Sequence, residues 1–253
     1  MTASIAALFR HPIKGFTPEK LQRAELAPQM PFPGDRLYAL EDGPCGFDPA
    51  HPGFIPKQRF AVLAKTAEVA KARTRLDDAT GRFHAEADRH QPFAGDLTNA
   101  CDRAAFAAWA GEVLGEAAQG PLRLIDGEGN RFLDHPLGHV SIINLASLHD
   151  LEQRLGRPLD PLRFRANLYV EGWPAWAEND WEGGALRLGE VEATVFKPIV
   201  RCAAPGVDPT TAIRDLDIPA ELFRLYGHVH CGIYVQVTKG GMVKEGDSVT
   251  LPL

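Results

Sequence analysis

Proline and glycine interrupt this chain so often that it can fold only as short strands, tight turns and a few brief helices. With 20 Pro and 24 Gly in 253 residues, the intervals between breakers suit strands, which need only about 5–6 residues, better than helices, which average roughly 10–14. Strand-like runs fill many of those intervals: Ser4 to Phe9, Leu37 to Leu40, Leu122 to Ile125, Val191 to Phe196 and Gly232 to Val237. Gly189-Glu190 spaces two such runs as a hairpin turn does, and DDATGRF (77–83) carries a second turn signal. PLRLIDGEGNRFLD (121–134) reads as strand, turn, strand, and MVKEGDSVTL (242–251) as a closing hairpin turning at Glu245 to Asp247.

Two stretches keep a helical period instead. Phe106, Trp109, Ala110, Val113 and Leu114 make one apolar stripe, with Asn99 and Asp102 spaced as a capping pair and Gly115 as the stop. In SLHDLEQRLG, Leu148, Leu151 and Leu155 form the stripe, Asn144 or Ser147 supplies the cap and Gly156 ends the run. LDIPAELFRLYG (216–227) has room for one or two helical turns. The expected fold class is therefore mainly β with a few helices (α+β), most economically closed into barrels.

Charge and cysteine spacing exclude several functions. A net charge of -6 and a pI near 5.8 give no basic face for nucleic acid. No run approaches the roughly 18–20 apolar residues of a membrane span, and MTASIAALFR lacks the basic flank and long apolar core of a signal peptide. Cys45, Cys101, Cys202 and Cys231 contain no CxxC pair, so no zinc ribbon, thioredoxin motif or iron–sulfur set is written here. A reducing, cytoplasmic setting follows as the expectation. His228 and His230 would share a strand face as zinc ligands, but Cys231 would point the other way and leave the third ligand missing.

The chemistry centres on KPIVRCAAPGVDP, Lys197 to Pro209. Arg201 beside Cys202 favours thiolate over thiol, which suits a soft-metal ligand or a nucleophile. A cysteine packed as a small hydrophobe is the alternative. In RFRANLYVEG, Arg163 and Arg165 would share one face of a strand, either gripping an oxyanion with their guanidinium forks or lying exposed. Lys14 falls in the HPIKG loop, where a lysine is ordinarily solvated, and Asp35-Arg36 reads locally as a surface ion pair.

In order, these motifs resemble a known family. HPIKG, GDRLYAL, KQRFAVLA, AWAGEVLG, SLHDL, RFRANLYVEG, Glu178 with Trp181, RLG, RC followed by VDP, and GIYVQV leading to GDSV are similar to the segments of MOSC (molybdenum cofactor sulfurase C-terminal) domain proteins preceded by a MOSC-associated β-barrel domain. The resemblance implies an N-terminal β-barrel domain over residues 1–119 packed with a β-barrel MOSC domain over 120–253. Relatives of this layout include mitochondrial amidoxime-reducing proteins and bacterial reductases of N-hydroxylated compounds.

The family implies a molybdopterin-type molybdenum cofactor with Cys202 as the protein ligand to the metal. That agrees with the preference of soft, sulfur-rich centres for thiolate. Lys14, Arg36, Arg165 and Asn167 would line the cofactor site, with Arg59, Ser147, Arg163 and Arg201 supporting them; Asp208 would act beside Cys202 or cap its own turn. The implied activity is reduction of N-hydroxylated or related N-oxygenated small molecules.

Two departures stand out: Gly15 replaces the usual serine or cysteine, and AAPG (203–206) replaces a loop richer in hydroxyls. The sequence also carries no clustered cysteines of a ferredoxin-like domain, so electrons are expected from a separate ferredoxin- or cytochrome-like donor and its reductase. The alternative function is sulfur carriage or cofactor handling through a persulfide on Cys202.

Overall fold

The computed structural model describes residues 3–251. It begins with β1 (Ser4–Arg10), β2 (Glu19–Leu21), β3 (Arg23–Leu26) and β4 (Tyr38–Asp42). A meander of β5 (Arg73–Leu76), β6 (Phe83–Glu86) and β7 (Phe93–Gly95) leads into α1 (Ala100–Leu114) and β8 (Leu122–Asp126). Then come β9 (Val140–Asn144), α2 (Leu145–Leu155) and β10 (Leu168–Glu171), and the hairpin of β11 (Ala185–Leu188) with β12 (Val191–Val200). Helix α3 (Ile218–Tyr226), β13 (His230–Lys239), β14 (Gly241–Lys244) and β15 (Val249–Thr250) complete the fold. Among the described residues, no helix is long and apolar enough to cross a membrane.

One sheet runs in the order β15-β11-β12-β13-β9-β10-β1-β2. It curls until its far strands meet: Ser4 bridges Ser248, the Val249 amide donates to the Ala3 carbonyl at 2.8 Å, and the Ile5 amide donates to the Asp247 carbonyl at 2.9 Å. Inside lie Ile5, Leu8, Val140, Ile142, Leu168 and Val235. Strand alternation sends the intervening residues outwards, so Ile143 and Tyr169 pack under Leu148, Leu151, Ile218 and Leu222 of α2 and α3. Only β9 and β10 pair in parallel within this sheet, and α2 supplies the crossover such a pair requires.

The remaining strands pack around α1. Phe106 is the centre of that core, with ring centroids 5.5 Å from Phe83 and Phe93 and 5.8 Å from Phe16. Asn99 caps the helix by accepting from the Cys101 amide at 2.8 Å. The two halves exchange segments: β1 pairs with β10, β3 with β14 and β4 with β8.

Several local expectations change. Asp102 does not complete a capping pair; its carboxylate accepts from the Asp96 amide at 2.7 Å and ties β7 to the helix. Residues after DGEGN form no strand, because the Phe132 amide turns to the Arg36 carbonyl and the Phe132 carbonyl is taken by Lys14. Nor do β14 and β15 form a hairpin: β14 lies on β3 and β15 crosses to β11, so the Glu245–Asp247 turn makes a corner. Arg163 and Arg165 do not share a strand face either. Pro161–Phe164 is a short 3-10 helix, capped by Arg165 in the left-handed region, and the strand begins at Leu168.

Candidate functional site

The two halves enclose a cavity of about 170 Å³ with basic walls. Lys14, Arg36, Lys57, Arg163, Arg165, Lys197 and Arg201 line it against a single carboxylate, Asp134, and Cys202 sits among them. An acidic protein thus gathers positive charge into one concavity, where low-dielectric walls focus the field.

Two of the buried cations come from the N-terminal half. Lys14 is only 3% exposed, and its Nζ donates to the Phe132 carbonyl at 2.9 Å and to Asp134 Oδ1 at 2.6 Å. Burial pulls the Lys14 pKa down and Asp134 opposes the pull. Lys14, Arg36 and Lys57 hold the Asp134 carboxyl well below the usual carboxylate range. Asp35 and Arg36 are no surface pair, being 1% and 8% exposed. The Asp35 carboxylate accepts from Arg36 Nη1 and, at 2.6 Å, from the His11 amide, which fixes the guanidinium in the cavity wall.

Arg165 differs from its neighbours because its guanidinium makes no hydrogen bond among the described residues, and its Nη2 is buried without a partner. Burial, with Arg36 adding to the effect, pulls its pKa down to about 10. The group is therefore charged at neutral pH. Arg165 as a whole is half-buried, and a cation with a buried donor and no partner has an anionic ligand as its natural complement.

Arg163 and Arg201 face the cavity and spend most of their donors on the protein, though Arg163 Nε is buried without a partner. Arg163 donates to Asp215 Oδ1 and Asp208 Oδ2, both at 2.8 Å, and so braces the loop after Cys202. Arg201 donates from Nε to the Cys231 carbonyl at 2.8 Å and from Nη1 to the Phe164 carbonyl at 2.9 Å. These bonds fix the backbone that presents Cys202, a half-buried free thiol just beyond β12.

The other expected residues lie outside the lining. Ser147 donates to Glu178 Oε1 at 2.8 Å and accepts from the Trp176 amide at 2.8 Å. The Asn167 side chain accepts from the Ser141 hydroxyl at 2.8 Å and ties β9 to the start of β10, while Ser141 itself reaches the cavity. Asp208 accepts from the Thr210 and Thr211 amides at 2.8 and 2.9 Å, capping its turn while pairing with Arg163. Arg59 is exposed.

In its place the cavity receives Lys57, which sequence reasoning missed. Burial opposes its charge, but Asp134 and the adjacent Cys202 sulfur raise its pKa. Asp134, Lys197, His135 and Tyr234 were missed too; a bulge at Phe196 takes Lys197 off the alternation of Val191, Ala193 and Val195, so strand parity left no signal for it.

Residues 130–250 match the MOSC domain family, and residues 2–123 match the MOSC N-terminal beta barrel domain. Among curated proteins the chain is similar to mitochondrial amidoxime-reducing component 1 of Mus musculus, 31% identical over 122 residues, which is 44% of this chain and 35% of that protein. It is likewise similar to mitochondrial amidoxime reducing component 2 of Bos taurus, 33% identical over 122 residues, 44% of this chain and 36% of that protein. These matches span about a third of the relatives' length. Among solved structures, the YUAD protein from Bacillus subtilis is 15% identical with a TM-score of 0.48, covering 98% of this chain and 94% of that one.

Proposed function

Because the chain belongs to the family of MOSC domain proteins with a MOSC N-terminal beta barrel domain, we propose that its basic cavity holds a molybdopterin-type molybdenum cofactor and that the protein reduces N-hydroxylated small molecules in the cytoplasm. The observation that carries this reading is the buried, unpartnered Nη2 of the Arg165 guanidinium in the same cavity as Cys202, Lys14 and Arg36. The donor set fits such a group. Guanidinium and ammonium donors suit its phosphate and polar edges, and a thiolate suits its metal.

When bound, the cofactor supplies the two-electron chemistry. The protein's residues bind and orient it: Arg165, Arg36 and Lys14 meet the anionic part, and Cys202 ligates the metal. Asp35 keeps Arg36 pointed into the wall, Arg163 holds the loop that follows the ligand, and Arg201 anchors the strand end that presents it. Lys57, beside Cys202 and Asp134, keeps positive charge at the thiolate. Reduction of an N–OH group to N–H takes two electrons and two protons and releases water. The electrons would come from a separate donor protein of ferredoxin or cytochrome type.

The test is the metal and pterin content of protein purified from a host that makes the cofactor. Wild type should carry both, and folded Cys202→Ser should lose at least about tenfold of its molybdenum, a loss equivalent to about 1.4 kcal/mol of affinity. Well-folded wild type without metal would overturn the reading. The sulfur-carrier alternative makes a different demand, a mass gain of one sulfur on Cys202 after exposure to a persulfide donor.

A further inference from the structure

Beyond the deep cations, three side chains line the cavity with donors that no protein atom accepts among the described residues: Lys197, His135 and Tyr234. A bulge at Phe196 shifts the register of β12, so that Lys197 pairs with Tyr234 on the sheet face opposite to the one where Val195 pairs with Val235 in the core. There Lys197 lines the cavity half-buried, a place a lysine tolerates where the surroundings are wet or anionic. Its ammonium makes no ion pair among the described residues, and the Phe196 ring lies 5.3 Å away.

His135 accepts the Leu137 amide at Nδ1, 3.1 Å away, which leaves the proton of the neutral ring on Nε2 as a donor. Tyr234 is the cross-strand partner of Lys197, and its ring centroid is 6.4 Å from that of His135. His135 is held in place from its other side by Phe196, at 5.1 Å. The loop that carries it is pinned as well. A Cβ added at Gly138 would stand 3.0 Å from the Tyr234 ring and would push it by a few tenths of an ångström, so the glycine keeps the loop close against that ring.

We infer that Lys197, His135 and Tyr234 form a subsite for a carboxylate on the substrate, so that this chain acts on N-hydroxylated compounds that also bear a carboxylate. The inference rests on the reductase reading for the reaction but not for the binding. One cation with two neutral donors matches a monoanion with two oxygens. A phosphate dianion would be better served by guanidinium forks, and none of these three side chains carries one.

Calorimetry with benzoate and benzamide, on the protein as purified with its cofactor, tests binding without turnover. Wild type should bind benzoate at least tenfold more tightly than benzamide; Lys197→Met should bind the two within about twofold, and Lys197→Arg should restore the preference. In turnover, N-hydroxy-4-carboxybenzamidine should show a KM at least tenfold below that of N-hydroxybenzamidine, with the gap closed in Lys197→Met. Equal affinity in wild type, or a preference that survives in folded Lys197→Met, overturns the subsite. If wild type reduces neither compound while the Lys197-dependent benzoate preference holds, the subsite stands and the reductase reading falls.

Discussion

His11 is buried completely, 3.2 Å from Asp35 through Nδ1, and its Nε2 has no partner. Burial first, and Arg165 second, pull its pKa down to about 4, against roughly 6.5 in an unfolded chain. Between those values the unfolded chain takes up a proton that the folded chain refuses, so stability falls as pH drops through this window. Asp35, held below the usual carboxylate range by Arg36 and His11 against the opposing effect of burial, extends the loss to lower pH. Urea unfolding should show wild type losing about 2–3 kcal/mol between pH 7 and 4.5 and His11→Asn losing clearly less; parallel profiles would remove His11 as the cause. Arg165→Met should separate binding from folding. The cofactor-free variant should be at least as stable as cofactor-free wild type, because a half-buried unpaired charge is gone, while its molybdenum content falls. Thermal melts and metal analysis read the two effects. Lys14 and Arg36 were legible from their motifs, whereas Lys57 was hidden behind Arg59. Both lie in one 3-10 turn, Lys57–Arg59, where residues two apart diverge by roughly 240° instead of sharing a face.

At the scale of elements, β13 shows how one residue sets a strand's course. Gly232 has φ 77, and a Cβ there would stand 2.4 Å from the Ile142 carbonyl oxygen and 3.2 Å from Arg201 Nη2. The glycine lets β13 lie against β9 just where Arg201 grips the Cys231 carbonyl. Gly232→Ala should therefore cost at least about 2 kcal/mol in denaturant unfolding, from strained backbone and the clash together; an unchanged midpoint would show that β13 can shift freely. Asn99→Ala should cost about 1 kcal/mol through loss of the α1 cap. Periodicity disclosed α1, α2 and most strands because their patterns are local. Pairing was not legible: β14 chooses β3 and β15 chooses β11 through contacts remote in sequence.

Across the whole molecule, the halves are not separable units. A cut at 119/120 would strip β1 from β10, β3 from β14 and β8 from β4, exposing sheet edges and the cores beneath them. Residues 1–119 and 120–253 produced separately should lack cooperative unfolding, and co-expressed they should recover it. Either fragment folding alone by circular dichroism and calorimetry would contradict this. The order of family motifs revealed which segments belong to the molecule but carried no sign that the first strand completes the sheet of the second half.

That exchange also sets a timetable. The wall of the cavity takes Lys14 and Arg36 from the start of the chain and Tyr234 from more than two hundred residues later. At roughly 5–20 residues per second of synthesis, Lys14 waits about ten seconds or more before its surroundings exist. β1 likewise stays without its β10 partner until Leu168 has been made. The cavity cannot be complete before Tyr234 has been made, and a nascent chain has an unpaired strand to shelter in the meantime.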